Sequence, residues 1–211
     1  MAKFLNDYEK GLLSVIVVTY NQKEFFYETL SSILNQDYRY IELIIADDGT
    51  LNFDEGNIKK FIDDKKNKNI IKYRILHNKE NIGTVRNINN ALKKSTGEFI
   101  KIIGGDDTYP NSSTFSSQIK VLLSNERLLA TVGMAQQCDY NMNPIKDERV
   151  DKSNKYMPNI LKMDYDKARK TIFKNDIFPI AIQAVCYRRE FFVKNGLCDE
   201  DYVLIDDSPS A

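Results

Sequence analysis

The chain carries 30 lysines and arginines against 30 aspartates and glutamates over 211 positions, a formal charge of zero, so it has no cationic surplus for a nucleic-acid partner. Its 42% hydrophobic and 11% aromatic content excludes global disorder and suffices for a single domain with excursions, residues 1–211. A lone histidine, His77, removes His-pair metal sites and leaves most acid, base and metal chemistry to carboxylates.

Residues 14–19 (SVIVVT) are the first β-branched apolar run, after which Phe26, Leu30, Ile33 and Leu34 recur at helical spacing. Residues 41–46 (IELIIA) predict a second strand, followed by a charged helix marked by Ile58, Phe61 and Ile62. A third strand over 70–76 leads into a helix over 81–95 that gathers Ile82, Val85, Ile88, Ala91 and Leu92 on one face. Thr96-Gly97 stops that helix before a fourth strand over 98–103. Strands that are apolar on both sides and alternate with helices predict an α/β fold, a largely parallel sheet with helices on both faces. Farther on, Pro110 precedes a helix over 112–124, residues 128–135 read as a fifth strand, and 138–164 as a polar, mobile excursion. Residues 181–187 are again strand-like, 189–194 form a short helix, and Asn195-Gly196 a turn.

No apolar run approaches the roughly 20 residues of a membrane span, and the opening MAKFLNDYEKG lacks the apolar core of a secretory signal. Cys138, Cys186 and Cys198 are odd in number, widely spaced and without a CxxC pair, which predicts reduced thiols and a cytoplasmic protein. Cys186, within an apolar strand, reads as a core residue.

Ligands of an open parallel sheet bind beyond the carboxyl ends of its strands. Here the first strand runs into Thr19-Tyr20-Asn21, the second into Asp47-Asp48-Gly49 and the fourth into Gly104-Gly105-Asp106-Asp107. Asp-Gly turn chemistry is an alternative for the first acidic pair, and helix capping ahead of Pro110 for the second. Together, four like charges on one rim repel unless something compensates them, and a divalent ion is the economical reading. Magnesium or manganese suits such hard oxygen ligands. No G-x-G-x-x-G or Walker loop follows the first strand, so a metal would have to neutralise any bound diphosphate. His77 reads as a loop or rim residue, and the acidic residues 199–201 as a solvated turn.

The strings SVIVVTYN, SILNQ, IELIIADDGT, NIGTVRNINNALKKSTGEFI and GGDD, in this order and spacing, resemble the family 2 glycosyltransferases with the GT-A fold, over about residues 13–207. The resemblance implies a Rossmann-like sheet, with a nucleotide-binding part over about 13–108 and an acceptor-side part over about 109–211. It also implies transfer of a sugar from a nucleotide-sugar, commonly a UDP-sugar, to an acceptor hydroxyl with inversion. Position by position, Thr19, Tyr20 and Asn21 would wall the nucleotide site, and Asp48 would accept a hydrogen bond from uracil. Arg86 would lie near the nucleotide, where a guanidinium suits phosphate or carboxylate oxygens; a helix-surface ion pair is its alternative. Asp107 would ligate the metal directly, and Asp106 would contact ribose or metal. Many members carry an aspartate where this chain has Gly104.

The pieces CYRREFF, NGLCDEDY and VLIDD are similar to the family stretch that ends in the general base, which falls on Asp207, with Asp206 competing. A positioned base is worth about 100- to 10,000-fold in rate. The partners implied are a nucleotide-sugar donor and a glycan or lipid-linked acceptor, with a membrane's inner face and a second copy of the chain as further candidates. The setting implied is bacterial cell-surface polysaccharide assembly. The chain ends at Ala211, four residues past Asp207, as a catalytic domain cut short would. A nucleotidyltransferase would need a Gly-rich, Arg-containing loop where TYNQKEFF stands, and a receiver domain would need an acidic pair there. A non-catalytic sugar-nucleotide binder or scaffold of the same fold stays open because of Gly104.

Overall fold

The computed structural model describes residues 7–22, 24–175, 177 and 181–201. Four parallel strands form its centre: β1 (Glu9–Thr19), β2 (Ile41–Asp47), β3 (Ile70–His77) and β4 (Gly97–Gly104). The helices between them are α1 (Phe26–Leu34), α2 (Glu55–Lys65) and α3 (Thr84–Lys94), and α4 (Thr114–Ser124) follows β4. Two antiparallel strands extend the sheet, β5 (Ala130–Val132) and β6 (Val185–Arg188), giving the six-stranded order β3-β2-β1-β4-β6-β5.

Period-two alternation divides the central strands between two cores. Val15, Val17, Leu43, Ile45, Phe99 and Ile103 face one side, where Leu30 and Ile33 of α1, Ile62 of α2 and Phe115 and Ile119 of α4 cover them. Ile16, Ile44, Ile100 and Ile102 face the other, against Val85, Ile88 and Leu92 of α3. Fully burying one such side chain is worth about 1.5–3 kcal/mol, so each helix is anchored by two or three residues of its inner stripe, while α4 also exposes Val121 and Leu123 on its outer face. β2 is buried along its whole length because both of its faces and both of its edges are covered.

Several outer elements differ from expectation. β5 is confined to Ala130–Val132 rather than 128–135, and a 3-10 turn over Ile182–Ala184 takes the first half of the expected strand at 181–187. The stretch 138–164 is not a featureless excursion. It contains α5 (Glu148–Ile160), whose N-cap Asp147 accepts from the amides of Arg149 and Val150, and an isolated bridge joins Cys138 to Pro144. A further helix, α6 (Tyr165–Asn175), packs on α5 through Ala168 and Ile172. A short α7 (Glu190–Asn195) closes the second core through Phe192.

β1 is flanked by β2 on one side and by β4 on the other, so chain direction across the sheet reverses at this strand. The crevice of such a sheet opens there, beyond the carboxyl ends.

Candidate active site

A cavity of about 640 Å³ opens at that point, within the range of small-molecule sites. Val18, Thr19 and Tyr20 from the end of β1, Asp48 after β2, and Thr84, Asn87 and Ile88 of α3 form one wall. The other comes from Gly133 and Gln136 after β5, Arg149 and Asn154 of α5, and Gln183 and Ala184 of the 3-10 turn. Because β4 lies between β1 and β6, its carboxyl end brings Gly104, Asp106 and Asp107 in between the two walls.

The two aspartates after β2 have separate tasks. Asp47 builds the turn: its carboxylate accepts from the amides of Gly49 (3.1 Å) and Thr50 (2.8 Å) and from the Thr50 hydroxyl (2.6 Å). His77 Nδ1 lies 2.8 Å from the same carboxylate, and its ring stacks on Phe53 with centroids 5.1 Å apart. Gly49 has φ +85°, and a Cβ there would meet Glu80 backbone at 2.5 Å, so only glycine lets the following loop cross so closely. Asp48 holds that crossing loop. It accepts from Asn78 Nδ2 (3.0 Å) and from the amides of Ile82 (2.9 Å) and Gly83 (3.0 Å), while its own amide donates to Thr19 O at 2.9 Å. A carboxylate has about four acceptor sites, so three donors leave Asp48 capacity for one more on the cavity side.

At the end of β4, Asp106 and Asp107 fold back over Gly104. A Cβ placed on Gly104 would lie 2.8 Å from Asp106 Oδ1 and 3.3 Å from Asp107 Oδ2, so both carboxylates converge on the space that a side chain would fill. Among the described residues no group of three or more His, Cys, Asp and Glu could cage a metal unaided. Two convergent carboxylates fit the other arrangement, in which a divalent ion takes one or two carboxylates and completes its shell with water and phosphate oxygens. Gln22 Oε1, on the floor shared with a second cavity of about 250 Å³, is buried without a partner among the described residues, as expected where a polar ligand supplies one.

Thr19, Tyr20, Asp48, Asp106 and Asp107 are thus brought together on one cavity. Asn21 and Arg86 are not among its lining residues. Asn21 turns away with φ 57° and donates its amide to Thr50 Oγ1 at 2.8 Å. Arg86 lies across α3 from Thr84, Asn87 and Ile88, at about 100° per residue, and its Nε sits 3.6 Å from Glu200 with the side chain 60% exposed. Asp206 and Asp207 lie outside the described residues. Sequence reasoning named no residue of the second wall. Arg149 is the cation among the described lining residues. Asn154 clamps Ala135, accepting from its amide (3.2 Å) and donating to its carbonyl (2.7 Å).

Residues 14–194 match the family described as Glycosyl transferase family 2. The UDP-Glc:alpha-D-GlcNAc-diphosphoundecaprenol beta-1,3-glucosyltransferase WfaP of Escherichia coli is 34% identical over 110 residues, 51% of this chain and 40% of that protein. Mannosyltransferase PcManGT from Pyrobaculum calidifontis, in complex with GDP-Man and Mn2+, superposes with a TM-score of 0.65 at 19% identity, covering 94% of this chain and 49% of that one. S. aureus TarS 1-349 in complex with UDP gives 0.63 at 20% identity, covering 93% and 52%. These superpositions show the GT-A fold. The chain spans about half or less of the length of these proteins.

Proposed function

The chain belongs to glycosyl transferase family 2, and from that premise we propose that it moves a glycosyl group from a UDP-sugar to a hydroxyl of a glycan or lipid-linked acceptor, with inversion. One observation carries the reading: the ends of three strands deliver Tyr20, Asp48 and the Asp106-Asp107 pair to one cavity large enough for a nucleotide-sugar. A relative named for a UDP-glucose donor and a diphosphoundecaprenol acceptor supports it, as does a fold neighbour solved with UDP.

In this reading Tyr20, 46% exposed at the rim, offers its ring face to the base, and Asp48 accepts the uracil imide N–H at its remaining acceptor site. Asp107 and Asp106 would hold a divalent ion, manganese or magnesium, whose charge would offset that of the leaving diphosphate. Arg149 on the opposite wall, 3.3 Å from Asp147 and 74% exposed, would supply guanidinium donors to the same anionic group. Asp207 takes the proton from the acceptor hydroxyl as the new bond forms, with Asp206 as the competing base. Gly104 favours a second reading, a non-catalytic nucleotide-sugar binder, since it stands where many relatives carry another acid.

Incubation with a panel of UDP-sugars, manganese and lipid-diphosphate or glycan acceptors tests the proposal, the readout being glycosylated acceptor and released UDP. Transfer establishes it; tight UDP-sugar binding without transfer or hydrolysis selects the second reading. Asp207→Asn should leave UDP-sugar affinity unchanged and lower turnover by about 100-fold or more. Normal turnover in that variant together with a dead Asp206→Asn moves the base to Asp206.

A further inference from the structure

Lys101 lies in the middle of β4, between Phe99 and Ile103 on the face covered by α4, and is 0% exposed. Burying an ammonium costs its hydration unless the protein replaces every lost hydrogen bond. Here all three donors are matched: Nζ reaches Gln118 Oε1 at 2.7 Å, Val185 O at 3.1 Å and Gln183 O at 3.2 Å. The acceptors are neutral, and among the described residues no carboxylate contributes to the electrostatics of this group. A methionine would fill the same space without the desolvation cost, and the rings of Tyr109 and Phe115, with centroids 5.0 and 5.7 Å from Nζ, offset only part of it.

What the ammonium touches supplies the reason for a cation here. Gln183 lines the cavity and Val185 opens β6, so two of its bonds end on the segment that forms the second wall. Its third partner, Gln118, uses the other end of its amide to donate to Ala184 O at 2.8 Å, and the Gly133 amide meets the same carbonyl at 2.8 Å. Three consecutive wall carbonyls are therefore fixed from behind by one lysine and its glutamine.

We propose that Lys101 is a positioning residue for the transferred sugar: by pinning the Gln183-Ala184 segment it sets how the cavity meets the glycosyl part of the donor, while the opposite wall, together with Arg149, holds the nucleotide. The inference rests on the nucleotide-sugar reading above and names the part of that substrate which this segment discriminates.

The protonation state supplies an independent handle. Burial pushes the Lys101 ammonium down to about 8. A neutral amine keeps two N–H groups for three acceptors, so one of the three contacts that tie the wall to β4 and α4 is lost above that pH. The other titratable groups packed here stay neutral across that range: burial pushes the Cys186 thiol on β6 up to about 11 and the Tyr109 hydroxyl well above 10. Asp107 acts on Tyr109 but is not among the groups acting on Lys101, and α4 presents only Gln118 and the Phe115 ring.

The test is calorimetry with UDP, GDP and a panel of their sugars, including UDP-glucose, UDP-GlcNAc and GDP-mannose, in manganese. The readout is the affinity ratio of each nucleotide-sugar to its free nucleotide. Lys101→Met should change that ratio by about 5-fold or more while the free nucleotide binds within about 2-fold of wild type, and Gln118→Leu should shift it in the same direction. In the wild type the ratio should move between pH 7 and pH 9; in Lys101→Met it should be flat. Unchanged ratios in both variants and a flat wild-type profile overturn the proposal. Should Lys101→Met fail to fold, the wild-type pH series and Gln118→Leu decide it alone. A wild type that binds no nucleotide overturns the underlying reading and this one with it, whereas nucleotide binding with unmoved ratios overturns this one only.

Discussion

The side chain of Asn89 on α3 clamps the backbone of Cys198 from both sides, donating from Nδ2 to the carbonyl at 2.8 Å and accepting the amide at Oδ1 at 3.0 Å. The same Nδ2 also donates to Glu200 at 3.0 Å. One buried residue of the nucleotide-side helix thereby fixes where the chain runs as it heads toward Asp206 and Asp207.

Asn89→Ala leaves a buried N–H and C=O unpaired at once, and each such group costs about 1–3 kcal/mol. We expect a loss of about 2–6 kcal/mol in urea unfolding. Asn89→Asp keeps the acceptor but sets a buried carboxylate oxygen against the Cys198 carbonyl and Glu200, and should cost at least as much. An Asn89→Ala protein of wild-type stability would show that the clamp contributes nothing net.

Asp48→Ala should combine two effects. The Ile82 amide loses its acceptor and the Gly83 amide keeps only Asn81 Oδ1, so the loop that follows β3 loosens, and UDP should lose its advantage over ADP and GDP. Manganese dependence should survive, because the Asp106-Asp107 pair is untouched. Calorimetry of the three diphosphates with and without manganese separates these terms, and wild-type protein that binds ADP as tightly as UDP would refute the base-reading role.

Asp107→Asn should abolish the gain in UDP affinity on adding manganese, since a neutral amide is a poor ligand for a hard cation. Asp106→Asn should do less. The two variants are compared in a manganese titration at fixed UDP, and undiminished enhancement in Asp107→Asn would remove that residue from the metal site.

Lys101 makes a stability prediction whose sign opposes its binding role. Its folded value of about 8 lies below the ordinary 10.5, so the unfolded chain binds more protons between those limits and the folding penalty is relieved as pH rises through them. Below about pH 8 the penalty is fully present and amounts to about 3 kcal/mol, since one pKa unit is worth about 1.4 kcal/mol. The stability of wild type minus that of Lys101→Met should therefore rise between pH 8 and 10.5. Urea unfolding of both proteins across that range cancels the other titrating groups, and a difference that stays flat or falls would refute the assignment.

The centre of the sheet was legible because its strands are apolar on both faces: runs such as residues 15–18 and 43–46 have no other stable placement. The carboxylates at the strand ends were legible for the same reason, as polar residues that stop an apolar run mark where the sheet meets solvent. α5 was not, because it is mostly polar and Pro158 interrupts its last turn. Its signal was nonetheless present: Asp147 as a cap, then Val150, Asn154, Met157 and Ile160 at three- and four-residue steps. Lys101 could not be read at all, since nothing local announces that three carbonyl and amide acceptors from distant segments converge on it. Arg86, a basic residue in a suggestive motif, takes here the helix-surface ion pair that was its alternative, with Glu200 at 3.6 Å.

The two cavity walls are attached to the sheet very unequally. β1 is held to β4 by a ladder running from Leu13↔Phe99 to Val18↔Gly104, whereas the ladder of β6 on β4 has only Phe99↔Arg188 and Ile100↔Tyr187 among the described residues, supplemented by the Lys101 and Arg188 side chains, and β5 pairs in the sheet with β6 alone. Opening free energies follow such attachment, so amides of β5 and β6 can exchange with solvent through a local detachment that leaves β1 to β4 intact. A ligand touching only the first wall then meets a surface that is already ordered. One that spans the crevice must also suppress the motion of the second wall, and its affinity carries an entropic charge that the smaller ligand avoids.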